Sequence, residues 1–486
     1  MLKAGQRKWL ALVVLGAAQF MVVLDVSIVN VALPSIQRAL HFSEQNLLWV
    51  LNAYTLVFGG FLMLGGRVAD KLGRRRVFMF GVALFSVASL MCGLATSSSW
   101  IVVMRAVQGL GAAIASPAAL SILTVTFSEG RERNTALGIW GAIAGAGAAF
   151  GVLLGGIFTQ EVGWSWIFFV NVPIGAAVIV ASPFVLAPSL PEGQQRGFDV
   201  PGAVTVTSSL VLLVFGLVKS TSWGWASPGT VSVLVASAAL MLLFVIIELR
   251  TTAPLVPLSI FRNRSLSVSN VVALVLGASI FSMFYFLSLY MQQVLGYSAL
   301  KTGVGYLSVA LAIIVSSGVA QNLVAKLGVR SVLAAGMFLA GGGLVYFSQV
   351  SVHGSYLGTL LPGFLLAGVG MGLSFVAVTI GAVSGVSPRE AGVASGLLNT
   401  SQQIGGALGL AVLSTIAVSV TKTFVATRPR NPQVAIAGLT HGFSVAFWCG
   451  ALLAAVGGFV ALVGLARSAS RPNEMVPAMG LVTDDA

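Results

Sequence analysis

Asp25 lies in the apolar run Leu24-Asp25-Val26-Ser27-Ile28-Val29-Asn30-Val31-Ala32-Leu33-Pro34 and is the only acid placed well inside such a run. Its sole basic counterpart is Arg105, just ahead of Gln108-Gly109-Leu110-Gly111. A carboxylate held away from water is costly and marks an ion or proton pathway. Its proton affinity is set by the balance of desolvation against any cation beside it. Counted from the ends of their runs at about 1.5 Å per residue, Asp25 sits roughly 13 Å deep and Arg105 roughly 8 Å, so the two can meet. Such a pair could be a static staple between helices. The expected reading is a carboxylate that binds and releases a proton as substrate and conformation change.

Little else in the chain could do chemistry. Cys92 and Cys449 both fall inside apolar runs, which excludes a disulfide framework. His41, His353 and His441 lie near run ends with no Cys-x-x-Cys beside them, so no metal site is expected. The phosphate-binding string Gly-x-x-x-x-Gly-Lys-Ser/Thr does not occur, which leaves ATP-driven transport by this chain unsupported. An enzyme would need acids, histidines or metal ligands converging at membrane depth, so neither catalysis nor a cofactor is expected.

The elements that must hold Asp25 and Arg105 follow from composition. Of 486 residues, 57% are hydrophobic and 8% charged, far more apolar material than soluble cores could bury. Fourteen runs are long enough to cross a bilayer as helices, at about 9–33, 47–66, 77–96, 100–124, 135–159, 165–187, 202–220, 230–249, 267–292, 302–323, 331–350, 357–382, 392–418 and 442–466. The first is too long for a signal peptide and is read as a retained span.

The net charge of +13 would suggest nucleic acid in a soluble protein, but here the basic residues fall between the runs. With both termini inside, 19 of the 26 Lys and Arg sit in inner segments and 6 in outer ones, Arg105 being the remainder. That bias places both termini in the cytoplasm. Trp49, Trp100, Trp164, Trp166, Trp223 and Trp225 then mark the outer interface.

Short strings repeat across the chain. Lys71-Leu72-Gly73-Arg74-Arg75 after span two is echoed by Lys326-Leu327-Gly328-Val329-Arg330 after span ten, and the segment 105–111 in span four by 364–370 in span twelve. The expected organisation is a six-helix bundle at 1–200, an inserted transmembrane hairpin and inner loop at 201–264, a second six-helix bundle at 265–470 and a cytoplasmic tail at 471–486. Repeats of this kind mark secondary transporters, whose substrate site lies between the halves.

Gly66-Arg67-Val68-Ala69-Asp70-Lys71-Leu72-Gly73-Arg74-Arg75-Arg76 resembles the inner-loop signature of the major facilitator superfamily. Arg105 with Gln108-Gly109-Leu110-Gly111 resembles its fourth-span motif. The segments Asp25 to Pro34, Trp164 to Gly175 and Ala394 to Thr400 are similar to its fourteen-span drug:proton antiporter branch. This resemblance implies an all-α polytopic membrane protein of the major facilitator fold, with two six-helix bundles and an inserted two-helix hairpin. It implies proton coupling through Asp25 and Arg105, and a conformational gate formed by Gly66, Asp70, Gly73, Arg74 and Arg75. Asp70 would accept hydrogen bonds from the start of span thirteen, and the arginines would bind anionic headgroups or close the inner side.

Span five carries Gly147, Gly151, Gly155 and Gly156, similar to the family's antiporter motif, a glycine face that lets a neighbouring helix approach closely. The usual Pro after the inner Gly is Val152 here, so no kink is expected. By analogy the substrate cavity would be lined by Asn52, Tyr54, Gln108, Tyr285, Tyr290, Gln293, Tyr306, Asn399, Gln402 and Gln403.

The implied function is proton-coupled efflux of hydrophobic or amphipathic drugs across the cytoplasmic membrane by alternating access. The expected partners are a small amphipathic substrate, protons and membrane lipids, with no nucleic acid, and the chain is expected to act as a monomer. The alternatives are an exporter dedicated to one metabolite, lipid or siderophore, and a uniporter without proton coupling.

Overall fold

A computed structural model describes residues 4–128, 131–188, 199–251, 254–256, 258–386, 391–429 and 431–466. Among the described residues every regular element is helical: α1 (Ala4–Ala39), α2 (Glu44–Leu47), α3 (Trp49–Leu72), α4 (Arg74–Gly93), α5 (Ser98–Thr126), α6 (Arg131–Glu161), α7 (Trp166–Phe169), α8 (Asn171–Val185), α9 (Val200–Trp223), α10 (Pro228–Arg250), α11 (Arg264–Leu289), α12 (Ala299–Phe347), α13 (Leu361–Val383), α14 (Ala391–Ala426) and α15 (Pro432–Gly464). Among the described residues twelve helical segments are long and apolar enough to cross a membrane, so this is a multi-pass membrane protein. The tail expected at 471–486 lies outside the described residues.

Helices overrun the apolar runs at several ends, because hydropathy reports only what lipid covers. The last helix starts at Pro432 rather than near 442, with the Asn431 side chain accepting from the Val434 N–H at 2.7 Å and Pro432 in the first turn, where it has no amide to lose. The expected sixth span is divided into α7 and α8 around Val170.

The tenth and eleventh runs form one helical stretch, α12, whose 49 residues are interrupted by non-helical backbone at Gly328 (φ 78°, ψ 158°). Its counterpart Gly73, between α3 and α4, has φ 97°. In both repeated Lys-Leu-Gly strings the glycine takes a left-handed φ that other residues rarely adopt. The second repeat also has a structural form. A methyl group on Gly111 would collide with the backbone of α4 at Phe85 and Gly81, and one on Gly81 with α5 at Ala115 and Gly111. Gly370 and Gly336 make the equivalent reciprocal approach between α13 and the second part of α12.

The helices α1 and α3–α8 pack among themselves, as do α11–α15, and the two sets meet along α6 with α12, α3 with α14, and α1 with α11. Between them in sequence, α9 lies against both α3 and α14, while α10 packs on α9 and leaves most of its apolar surface outward.

Candidate functional site: a buried ion pair beside a glycine-faced helix

Arg105 and Asp25 meet inside the first helical set, at 1% and 0% side-chain exposure, with Nη1 of the guanidinium 2.5 Å from Oδ2 of the carboxylate. The other carboxylate oxygen accepts from Gln108 Nε2 at 2.8 Å and from Asn171 Nδ2 at 3.1 Å. Arg105 also donates from Nε to the Val50 carbonyl at 2.9 Å and from Nη1 to Gln108 Oε1 at 2.7 Å. The Tyr54 ring lies under the guanidinium, 4.4 Å from its carbon to the ring centroid. Four helices therefore supply the shell: α1 the acid, α5 the base and Gln108, α8 Asn171, and α3 Val50 and Tyr54. Asn171 is held in turn by Ser89 of α4, which donates to the Phe168 carbonyl at 2.8 Å. A charge pair this dry persists because both carboxylate oxygens and the guanidinium Nε and Nη1 are hydrogen-bonded, while the Tyr54 hydroxyl and Asn171 Oδ1 beside it have no partner among the described residues.

Glycine packing lets α6 lie close against α1, on a face of that helix other than the one carrying Asp25. Gly147, Gly151 and Gly155, one face at intervals of four, press on α1 between Phe20 and Val31. A methyl at Gly151 would strike Ser27 Oγ and come within 2.9 Å of the Leu24 carbonyl. Ser27 Oγ itself donates to the Val23 carbonyl at 3.0 Å, which keeps it in place. Gly156 faces away, against Ala299 and Leu300 of α12, where the Val152 carbonyl sits over Gly303. With Val152 in place of Pro, α6 runs unbroken from Arg131 to Glu161.

At the end carrying the basic loop, Gly73 makes the turn from α3 and Arg74 opens α4. Arg75 donates to the Leu186 carbonyl at 3.1 Å and Arg7 to the Val185 carbonyl at 3.1 Å. Two cations thus cover the exposed carbonyls and negative end of α8. Gly66 meets Pro117 of α5 at ordinary contact distance. Asp70 belongs to α3, but its side chain and residues 387–390, where its expected partner helix would start, lie outside the described residues. Nearby, Lys8 Nζ reaches Glu132 at 3.2 Å, and the Ser128 backbone and hydroxyl donate to the same carboxylate. The Ser128 hydrogen bonds first, then the one from Lys8, hold the Glu132 carboxyl below its usual range.

The polar residues expected to line one cavity are distributed among several places. Tyr54 and Gln108 belong to the ion-pair shell. Asn52 donates to the Ala407 carbonyl at 3.1 Å, bridging α3 and α14. Tyr290 donates to the Ser351 carbonyl and Tyr306 to the Phe284 carbonyl, at 2.7 and 2.8 Å, so both hydroxyls are spent within the second helical set. Tyr285 and Gln293 line a cleft at the Trp-rich end with Gln37 and Glu44, and Gln293 Nε2 donates to Gln37 Oε1 at 2.8 Å. Asn399 turns back on the Ser395 carbonyl at 3.1 Å, and Gln402 and Gln403 are half-buried on α14 against Gly277 and Gly59.

The sequence model of the Major Facilitator Superfamily matches residues 15–410. The chain belongs to this superfamily. It is 37% identical to the puromycin resistance protein pur8 of Streptomyces alboniger over 456 residues, covering 92% of this chain and 90% of that protein. It is 42% identical over 415 residues to the cephamycin export protein CmcT of Amycolatopsis lactamdurans, covering 85% of each. Its fold is similar to that of a bacterial homologue of the human lysosomal transporter Spinster in an inward-facing, unoccupied conformation, with TM-score 0.68, 14% identity and coverage of 94% and 97% of the two chains.

Within this superfamily member the two repeats have diverged at one telling position. Where the first has Arg105, the second has Phe364, fully buried with its ring 5.4 Å from Tyr306 and 5.3 Å from Phe347. One half holds an ion pair at this depth and the other an aromatic cluster. Asn171 and Ser89 complete the ion-pair shell without having been singled out by sequence reading. Asn171 lies in the Trp164-to-Gly175 string, and a lone Asn in an apolar run was the available signal.

Proposed function

We propose that this chain is a proton-coupled exporter of hydrophobic or amphipathic drugs or antibiotics, acting across the cytoplasmic membrane by alternating access. The carrying observation is the Asp25 carboxylate, buried completely and satisfied by Arg105, Gln108 and Asn171. Protonating it weakens three hydrogen bonds at once and leaves the Arg105 charge uncompensated. The protonated and ionised forms therefore favour different packings of α1, α3, α5 and α8, which is how one proton can bias a two-state bundle. A membrane potential adds about 2.3 kcal/mol per charge per 100 mV to the driving force.

The names of the relatives, puromycin resistance and cephamycin export, support outward movement of antibiotics. Their single-compound names also favour a second reading, an exporter devoted to one compound. A uniporter, suggested by Val152, is the third.

The topology in this reading has fourteen spans: the twelve apolar segments already counted, α6, and a second crossing within α12 beyond Gly328. At about 1.5 Å per residue a 49-residue helix is more than twice as long as the membrane core is thick. Both termini are cytoplasmic, the basic-loop end is the inner one, and bundles at 1–200 and 265–470 flank the hairpin. Gly66, Asp70, Gly73, Arg74 and Arg75 form the inner gate, and the working unit is a monomer surrounded by lipid.

The test is reconstitution in liposomes with an internal pH dye and a panel of lipophilic cations and neutral antibiotics, comparing wild type with Asp25→Asn. Substrate-driven proton movement is expected in the wild type and absent in the variant. Transport without proton flux would replace the antiporter with a uniporter, and transport of one compound alone would favour the dedicated exporter.

A further inference from the structure

The hairpin of α9 and α10 is held at its two ends by different halves of the molecule. Near the inner end, Thr207 of α9 sits against Gly60 of α3, where a methyl would strike its hydroxyl, and Leu64 of α3 packs with Ala203 and Leu255. Near the outer end, Thr415 of α14 donates to the Leu217 carbonyl of α9 at 3.2 Å. The helix α9 thus crosses the α3–α14 seam, packed on α3 toward one end and hydrogen-bonded to α14 toward the other.

The inner attachment is built around an acid. Glu248, in the last turn of α10, is only 5% exposed, and its two carboxylate oxygens accept from the backbone N–H groups of Leu255 at 3.1 Å and Val256 at 3.3 Å. These bonds fold the chain leaving the hairpin back under α10 and present the Pro254 carbonyl to Arg67, whose Nη2 donates to it. Arg67 belongs to the inner-loop signature, three residues before Asp70. Asp199, 2% exposed, caps the start of α9 by accepting from the Gly202 N–H at 2.8 Å and lies within electrostatic reach of Glu248, as does Arg67. Through residues 254–256, Glu248 at the end of α10 and Arg67 near the end of α3 therefore join the hairpin to α3, while Asp199 fixes the start of α9. A carboxylate is suited to this turn because it offers two acceptors to two converging N–H groups, whereas an amide would present a donor to one of them.

We propose that Glu248 is a positioning residue for the inner gate: by shaping residues 254–256 into a platform for Arg67, it makes the hairpin a strap that sets how far α3 and α14 part at the cytoplasmic end. Arg67 acts on the gate directly and Glu248 acts through it. This rests on the alternating-access reading for its effect on transport, but its structural content stands separately.

The experiment places spin labels at 76 and 326, one on the inner end of each half, in a background lacking Cys92 and Cys449, and measures the distance distribution for wild type, Glu248→Gln, Arg67→Gln and the double variant. Each single variant is expected to shift the distribution the same way, and the double to shift it no further than either alone. In proteoliposomes, turnover should fall several-fold with KM within about twofold of wild type, as for loss of a step outside substrate binding. Distributions unchanged in Glu248→Gln, or additive shifts in the double variant, would overturn the proposal. Should Glu248→Gln fail to fold, Arg67→Lys keeps the charge while losing the guanidinium's reach to Pro254. The same shift supports the strap, and a wild-type distribution refutes it. Absence of transport in the wild type would defeat the exporter reading and leave the distance test intact.

Discussion

Arg105 and Asp25 bond at 2.5 Å across two helices that are 80 positions apart in sequence, in a site where neither side chain touches water. Removing one partner leaves the other as an unpaired buried charge. Arg105→Ala is expected to destabilise the protein by about 3–5 kcal/mol, and the paired Asp25→Asn/Arg105→Gln variant by less than that despite carrying two changes. Thermal unfolding in a fixed detergent checks the order, and a double variant no more stable than the single one would contradict it.

Close approach of α6 to α1 depends on the missing side chain at Gly151. Gly151→Ala should cost about 1–3 kcal/mol through overpacking and slow transport. Ser27→Ala in the same molecule should restore part of both, because it removes the hydroxyl that the new methyl strikes. Failure of the second change to restore anything would place the damage elsewhere.

Glu132 gives an expectation in pH. Its carboxyl is held below the usual carboxylate range by Ser128 first and then Lys8, so its contribution to stability is present above that range and is lost as pH falls through the lowered folded-state value. The Tm difference between wild type and Glu132→Gln should be constant near neutrality and close at acidic pH. A difference that grows on acidification would reverse the assignment.

Gly328 divides α12, and the proposed fourteen-span topology puts Lys326 inside and His353 outside. Cysteines at 326 and 353 should react with a membrane-impermeant thiol reagent from opposite faces of right-side-out and inverted vesicles. Labelling from one face would remove the extra crossing.

In the proposed topology the contact of Gln37 with Gln293 lies at the outer end and offers a way to stop the cycle. A disulfide between cysteines at these positions should hold the outer cleft shut, abolish export and leave substrate binding from the inner side, with both effects reversed by reductant. Export that continues in the oxidised protein would show that the outer ends need not separate there.

Much of this arrangement is legible in the sequence because lipid makes polar residues conspicuous. Asp25 and Arg105 stand out in apolar runs, and the repeated Lys-Leu-Gly strings relate the two halves, whereas the positive φ shared by Gly73 and Gly328 is seen only in the backbone. Tyr54 is harder to place: its aromatic type suits a cavity wall as well as the face beneath a guanidinium, and only packing of α3 on α5 decides. Asn171 and Ser89 lack any periodic signal, since each acts through side-chain bonds to residues distant in sequence. The hairpin's attachments are invisible for a similar reason. Glu248 looks like an ordinary helix-end acid until residues 255 and 256 turn back onto it.

The complete enclosure of Asp25 has an evolutionary corollary. On the proton-coupled reading proposed above, a compound in transit need not touch a carboxylate sealed among α1, α3, α5 and α8, and the residues that recognise cargo could change without retuning its proton affinity. Specificity and energy conversion then occupy separable parts of one polypeptide, so a lineage can acquire a new cargo by rewriting a wall while inheriting its motor intact.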